Sequence, residues 1–138
     1  MAYFRFMSSK ANFIQKIHLI ISVLVVIPVG IVYGFNIDSQ LEIFPETVDE
    51  HNFFKAIMGI YIGFALLWIL GIFKKAYLKA ALISNMIFML GLGFGRLLSF
   101  AADGFPSDAY LYGTFGELLL GFYGVWVLTK KSRIFAEN

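Results

Sequence analysis

The chain has no cysteine, which excludes disulfides, thiolate catalysis and cysteine-ligated metals. Charge is also scarce: charged residues make up 14% of the 138, against about a quarter in an ordinary soluble domain. A soluble chain of this size exposes most of its residues to water and needs charge to cover them. This chain lacks that charge, so hydrocarbon is the expected solvent. Low-complexity tracts are absent, and no period of about 20 to 50 residues marks a solenoid. No glycine-rich turn follows a strand pattern, so nucleotide-binding fingerprints have no context.

In place of charge there is length and hydrophobicity. Hydrophobic residues are 59% of the sequence, and four stretches approach or exceed the roughly 20 helical residues that cross a bilayer core. They cover 17–35, 53–73, 77–101 and 109–129. The fold class expected is all-α, an integral membrane four-helix bundle, with residues 1–138 forming one transmembrane domain. Lipid is then the first partner, and nothing in the sequence calls for nucleic acid.

The charges sort by side. Arg5, Lys10 and Lys16 precede span one, Lys74, Lys75 and Lys79 sit at the turn between spans two and three, and Lys130, Lys131 and Arg133 follow span four. Asp38, Glu42, Glu46, Asp49, Glu50, Asp103 and Asp108 lie at the other two connections. Lysine and arginine stay on the cytoplasmic side during insertion. The expected topology is therefore both termini inside, a short inner turn and a longer acidic outer loop. A cleaved signal peptide would also begin with basic residues and an apolar run. The run here is long and no small-x-small site follows it, so span one is expected to be retained. Pro28 within it is expected to kink the helix or free a carbonyl.

Two capping-box patterns mark the long outer loop, Ser39-x-x-Glu42 and Thr47-x-x-Glu50. The first predicts a short helical turn ending near Pro45. The second predicts a start of helix two outside the membrane. In the other outer connection Gly104 and Pro106 make a tight turn, and Ser107 is the expected N-cap of helix four.

Glycine recurs at helical spacing: Gly30 and Gly34, Gly59 and Gly63, Gly91 and Gly95, then Gly113, Gly121 and Gly124 along span four. Small residues let membrane helices approach closely, so all nine are expected at helix-packing faces. A homo-oligomer face is the other use of such a pattern. Most aromatics are phenylalanine, which suits lipid-facing and packing surfaces, whereas Tyr33, Tyr77, Tyr110, Tyr123 and Trp126 near span ends fit an interfacial belt.

Two ionisable residues fall well inside the spans, Arg96 and Glu117. Each costs about 2.5–3.5 kcal/mol near the bilayer centre, so each is expected to face the bundle interior and find a partner. Arg96 lies roughly 7–8 Å below the outer end of its helix and Glu117 roughly 12 Å below its own, a difference that an arginine side chain spans. An Arg96–Glu117 ion pair is therefore predicted. Asn85, Ser99 and Asp103 share the stripe of Arg96, and Tyr110 shares that of Glu117. His51 and Lys55 lie one turn apart at the outer mouth of span two. These eight residues form the candidate polar or ligand site. His18 and His51 are too far apart to share a metal, and no metal or cofactor is expected. His18 and Ser22 are expected to face the interface or a neighbouring helix.

The run Asn52, Lys55-Ala56 and Gly59, followed by Gly95-Arg96, Asp103-Gly104, Pro106-Ser107 and Glu117, resembles a bacterial membrane family catalogued as domain of unknown function four-three-four-five. The likeness covers residues 28–128. It implies four membrane helices, with a bacterial inner membrane as the expected location, and brings no activity, cofactor or substrate. Its members often carry arginine where this chain has Lys55.

Three functions compete. The first is binding or transport of a small or amphipathic molecule through an outward-facing site within the bundle. There Arg96 and Lys55 would contact an anionic group and Glu117 would balance charge. The second is a structural or accessory subunit held to a membrane partner by glycine faces. The third is an enzyme at the outer leaflet using Glu117 or His51 as acid or base. It is the weakest, because no nucleophile–base pair stands at a recognisable spacing. The topology has a direct test. A carboxyl-terminal alkaline phosphatase fusion is expected to be inactive and a fluorescent-protein fusion bright, and an active phosphatase would overturn the orientation.

Overall fold

The computed structural model describes residues 2–37 and 41–136, with side chains described over 13–37 and 41–130. Four helices follow one another: α1 (Ala2–Phe35), α2 (Val48–Phe73), α3 (Lys75–Asp103) and α4 (Asp108–Ala136). All four are long and apolar enough to cross a membrane. Mean hydropathy falls from 2.4 and 2.3 in the first two to 1.6 and 1.3 in the last two, so the polar residues concentrate in the second hairpin. The outside of the bundle is apolar too. Leu24, Leu98 and Leu119 are 70%, 71% and 70% exposed, which suits lipid and not water.

The helix ends explain the chain's turns. Thr47 caps α2 with a full capping box. Its hydroxyl accepts from the Glu50 N–H at 3.2 Å, while the Glu50 carboxylate accepts from the N–H groups of Thr47 and Glu46 at 3.0 and 2.6 Å. A single residue, Lys74, breaks α2 from α3 in extended conformation. At that end the Lys16 ammonium donates to the Ile72 carbonyl at 2.8 Å, placing a cation on the negative end of the α2 dipole. Lys16, Lys74 and Lys75 thus gather at one end of the bundle, called here the basic end. At the acidic end α3 stops at Gly104, whose φ of 104 and ψ of −178 suit only glycine. The Ser107 carbonyl, one residue before α4, accepts from the Tyr110 and Leu111 N–H groups at 3.1 Å.

The backbone of α1 stays helical through Pro28, whose missing N–H leaves the Leu24 carbonyl without its helical donor. One local expectation differs. The short helix in the long loop is not formed over Leu41–Glu46, where Glu42 takes φ 51. Ser39, the other half of that capping box, and Asp38 lie outside the described residues. The side chains of Arg5, Lys10, Lys131 and Arg133 do as well.

The helices pack in chain order, α1 on α2, α2 on α3 and α3 on α4, with α1 and α4 meeting more sparsely. The core centres on Leu19, Ala65, Trp68, Leu82 and Met89. An aromatic column rises from it. Trp68 meets Phe88 at 5.3 Å, Phe88 meets Tyr61 at 5.1 Å and Tyr61 meets Tyr33 at 5.5 Å, each edge-on.

The glycines divide into two sets. A Cβ at Gly30 would lie 2.9 Å from Tyr61, and at Gly34 it would meet Met58. At Gly121 it would lie 2.6 Å from Leu90 and at Gly124 3.2 Å from Met86. These four do bring helices together. A Cβ at Gly59, Gly63, Gly91, Gly95 or Gly113 would meet nothing within 4 Å, so these five are not packing positions inside the bundle. Helical spacing states that small residues share a face, but not which face. Two close approaches that the spacing misses are Gly71 against Ala81 and Gly93 against Leu118.

Gly71→Val is expected to destabilise by about 1–3 kcal/mol, because backbone as well as side chain confronts the added atoms. Gly63→Ala is expected to be neutral or stabilising by up to about 1 kcal/mol. Thermal unfolding in one detergent compares the two, and equal losses would refute the division.

Candidate functional site

Arg96 stands on the inward face of α3, about two turns from the acidic end, and Glu117 on the inward face of α4. The antiparallel register brings their side chains together. The Arg96 Nε–H donates to both Glu117 oxygens, at 2.9 Å to Oε2 and 3.2 Å to Oε1. The side chains are 20% and 14% exposed. Two more helix-borne groups complete the surround. Nη2 of Arg96 donates to the Tyr33 hydroxyl of α1 at 3.4 Å. The Tyr110 ring of α4 lies 5.2 Å from the guanidinium carbon, in cation–π range. The Tyr110 hydroxyl in turn donates to the Leu41 carbonyl at 3.0 Å, which ties the long loop down over the site.

The pair also divides space. A cavity of about 430 Å³ opens between α2 and α3 toward the acidic end, lined by Phe53, Ile57, Gly91, Gly95, Arg96 and Ser99 among others. A second, of about 270 Å³, lies between α1 and α4, lined by Val25, Val29, Gly113, Gly116, Glu117 and Leu120 among others. Tyr61 and Leu92 border both. Arginine faces one cavity and glutamate the other. Four glycines with nothing near their Cβ positions, Gly91, Gly95, Gly113 and Gly116, line these spaces. The missing side chains are what leaves the cavities open.

The geometry of the cavities follows from the turns. The one-residue break at Lys74 clamps α2 and α3 together near the basic end, where Gly71 meets Ala81 and the Trp68 indole N–H donates to Ser84 at 3.2 Å. Phe88 and Tyr61 mark the last ring contact between these helices, and the larger cavity begins beyond it.

The other expected site residues are placed as follows. Tyr110 is at the guanidinium. Ser99 lines the α2–α3 cavity but donates to Asp103 at 2.8 Å, and both are exposed. His51 accepts at Nδ1 from the Asn36 amide at 3.3 Å, on the surface and outside the lining of the cavity that holds Arg96. Lys55 is exposed on α2. Asn85 stands eleven residues from Arg96 along α3, about 16 Å toward the basic end. It is fully buried, and neither its Oδ1 nor its Nδ2 finds a partner. A shared stripe does not imply a shared depth. His18 is likewise buried at 1% exposure, with its ring 5.1 Å from that of Tyr123 on α4.

Residue spacing alone does not reveal Tyr33 and Tyr61. Nearness to a span end assigns Tyr33 to an interfacial belt, yet both rings are buried, and Tyr33 holds Arg96. One signal is present: Leu19, Ser22, Val26, Gly30 and Tyr33 recur at steps of three and four and mark one face of α1.

Four apolar helices around an intramembrane ion pair define the class, a multi-pass integral membrane protein of unknown activity. The chain belongs to the family described as Domain of unknown function (DUF4345), which it matches over residues 14–128. That match takes in most of α1 as well as the region from Pro28 onward. No curated protein and no solved structure matches it.

Removing one partner leaves the other charged and poorly solvated. Arg96→Gln alone is expected to cost about 2–3 kcal/mol, below the range for a fully buried pair because both side chains keep some exposure. Arg96→Gln with Glu117→Gln is expected to recover most of it. A double-mutant cycle of unfolding free energies in detergent measures the coupling, and strict additivity would show that the pair contributes nothing.

Proposed function

We propose that the protein binds or moves a small amphipathic molecule through the polar site inside its bundle, with both termini in the cytoplasm of a bacterial cell. The observation that carries this reading is the Arg96–Glu117 pair standing between two cavities that open toward lipid. A pair that served only to lock helix register would be better packed on both sides, since unfilled space beside a charge forfeits contacts and solvation. Volumes of about 270 and 430 Å³ lie near the lower range of small-molecule sites. Apolar walls with a few convergent polar groups fit a molecule with a polar head and an apolar body. The Tyr110–Leu41 bond holds the long loop near the acidic end of the larger cavity, whose walls come mainly from α2 and α3.

One observation favours a second reading, an accessory subunit of a membrane complex. Gly59 and Gly63 are exposed one turn apart on α2 with no atom near their Cβ positions, a surface on which another helix could pack closely.

Native mass spectrometry of the full chain from mild detergent separates the two. A bound amphiphile at one per chain is expected, falling at least fivefold in Gly95→Leu and in Gly116→Leu, which fill the cavities while leaving both residues of the ion pair unsubstituted. Protein that carries no adduct but co-purifies with a defined membrane partner, lost in Gly59→Leu, would replace the first reading with the second.

A further inference from the structure

The protein uses only part of the Arg96 guanidinium. This group has five N–H hydrogens in a fixed plane. The Nε–H is taken by Glu117, whose two oxygens both converge on that one nitrogen. One Nη2 hydrogen reaches Tyr33, at the long distance of 3.4 Å. Among the described residues none accepts from Nη1 or from the second Nη2 hydrogen. Both Nη1 hydrogens and one on Nη2 are thus left over, enough for a carboxylate or phosphate to accept two bonds from the guanidinium.

We propose that the unused N–H groups of Arg96 in the α2–α3 cavity bind an oxyanion, a phosphate or carboxylate, presented as the head group of an amphipathic molecule. This rests on the binding reading above and specifies the ligand's chemistry. Three features converge on it. Arg96 lines the larger cavity, whereas Glu117 lines the other one. An anion in the larger cavity therefore meets the cation first, with the carboxylate behind it. The nearer charge dominates where the dielectric is low. Tyr110 lies against the guanidinium and its hydroxyl is already committed to Leu41, so it supports the group without competing for the unused donors. Lastly, N–H groups without acceptors are costly away from water, and an oxyanion satisfies two at once. The remaining walls, Phe53, Phe54 and Ile57 of α2 with Leu92 of α3, suit an alkyl chain better than a hydrated ion.

The full chain in phosphatidylcholine nanodiscs, with empty nanodiscs as the baseline, is titrated with dodecyl phosphate, dodecanol and inorganic phosphate. Dodecyl phosphate is expected to bind at least tenfold tighter than dodecanol. Arg96→Gln/Glu117→Gln, which leaves no unpaired charge and is checked by its thermal midpoint, is expected to lose that preference. Gly95→Leu is expected to weaken both amphiphiles. Inorganic phosphate binding as tightly as dodecyl phosphate would support the oxyanion site but overturn the amphiphile as its source. Equal binding of dodecyl phosphate and dodecanol, both weakened by Gly95→Leu, would overturn the oxyanion inference and leave the amphiphile cavity standing. A preference that persists in the double variant would also overturn it. Failure of all three probes to bind the wild-type chain would remove both readings.

Discussion

Hydrocarbon offers a helix no hydrogen bonds and exerts no hydrophobic force pushing it against its neighbours. Everything that holds this bundle together must therefore be supplied by contact and by polar groups meeting each other. The Arg96–Glu117 pair is where that constraint is felt most strongly. It joins α3 to α4, recruits Tyr33 from α1, and through Tyr110 draws the long loop onto the acidic end. Tyr61 and the aromatic column connect it to the core around Trp68. A charge that cannot be left alone in lipid thus organises parts of all four helices.

The close contacts are distributed to suit. Gly71, Gly93, Gly121 and Gly124 bring α2 and α4 against α3, and Gly30 and Gly34 bring α1 against α2. No comparable glycine contact closes α1 onto α4, where the smaller cavity lies. Tight seams thus alternate with open ones, and the ion pair stands at the boundary. An arrangement with one charge facing each cavity is suited to a site that a membrane-borne molecule can enter. It also leaves the arginine with donors to spare.

Much of the candidate site was legible because intramembrane charge is so expensive that it carries its own explanation. Arg96 and Glu117 stand out in apolar spans, and counting residues from a short turn places them at compatible depths. Ser99 does share the α2–α3 cavity with Arg96, while Asn85, Asp103, His51 and Lys55 do not line it. A stripe fixes azimuth around one helix, while partnership also requires depth and a neighbour facing back. Asn85 has the right azimuth at the wrong depth, and Ser99 meets Asp103 on its own helix. Tyr33 escaped because tyrosine near a span end has a common alternative use at the interface.

Span number, the grouping of basic residues at one end and the identity of the ion pair were all present in the residues themselves. Each follows from a transfer cost or an insertion bias that acts on a residue wherever its neighbours sit. Which glycines touch another helix and which leave a void, which tyrosines turn inward, and how many Arg96 donors find acceptors could be decided only by four helices meeting. These depend on the rotation and tilt of each helix against the others, and a linear spacing records neither.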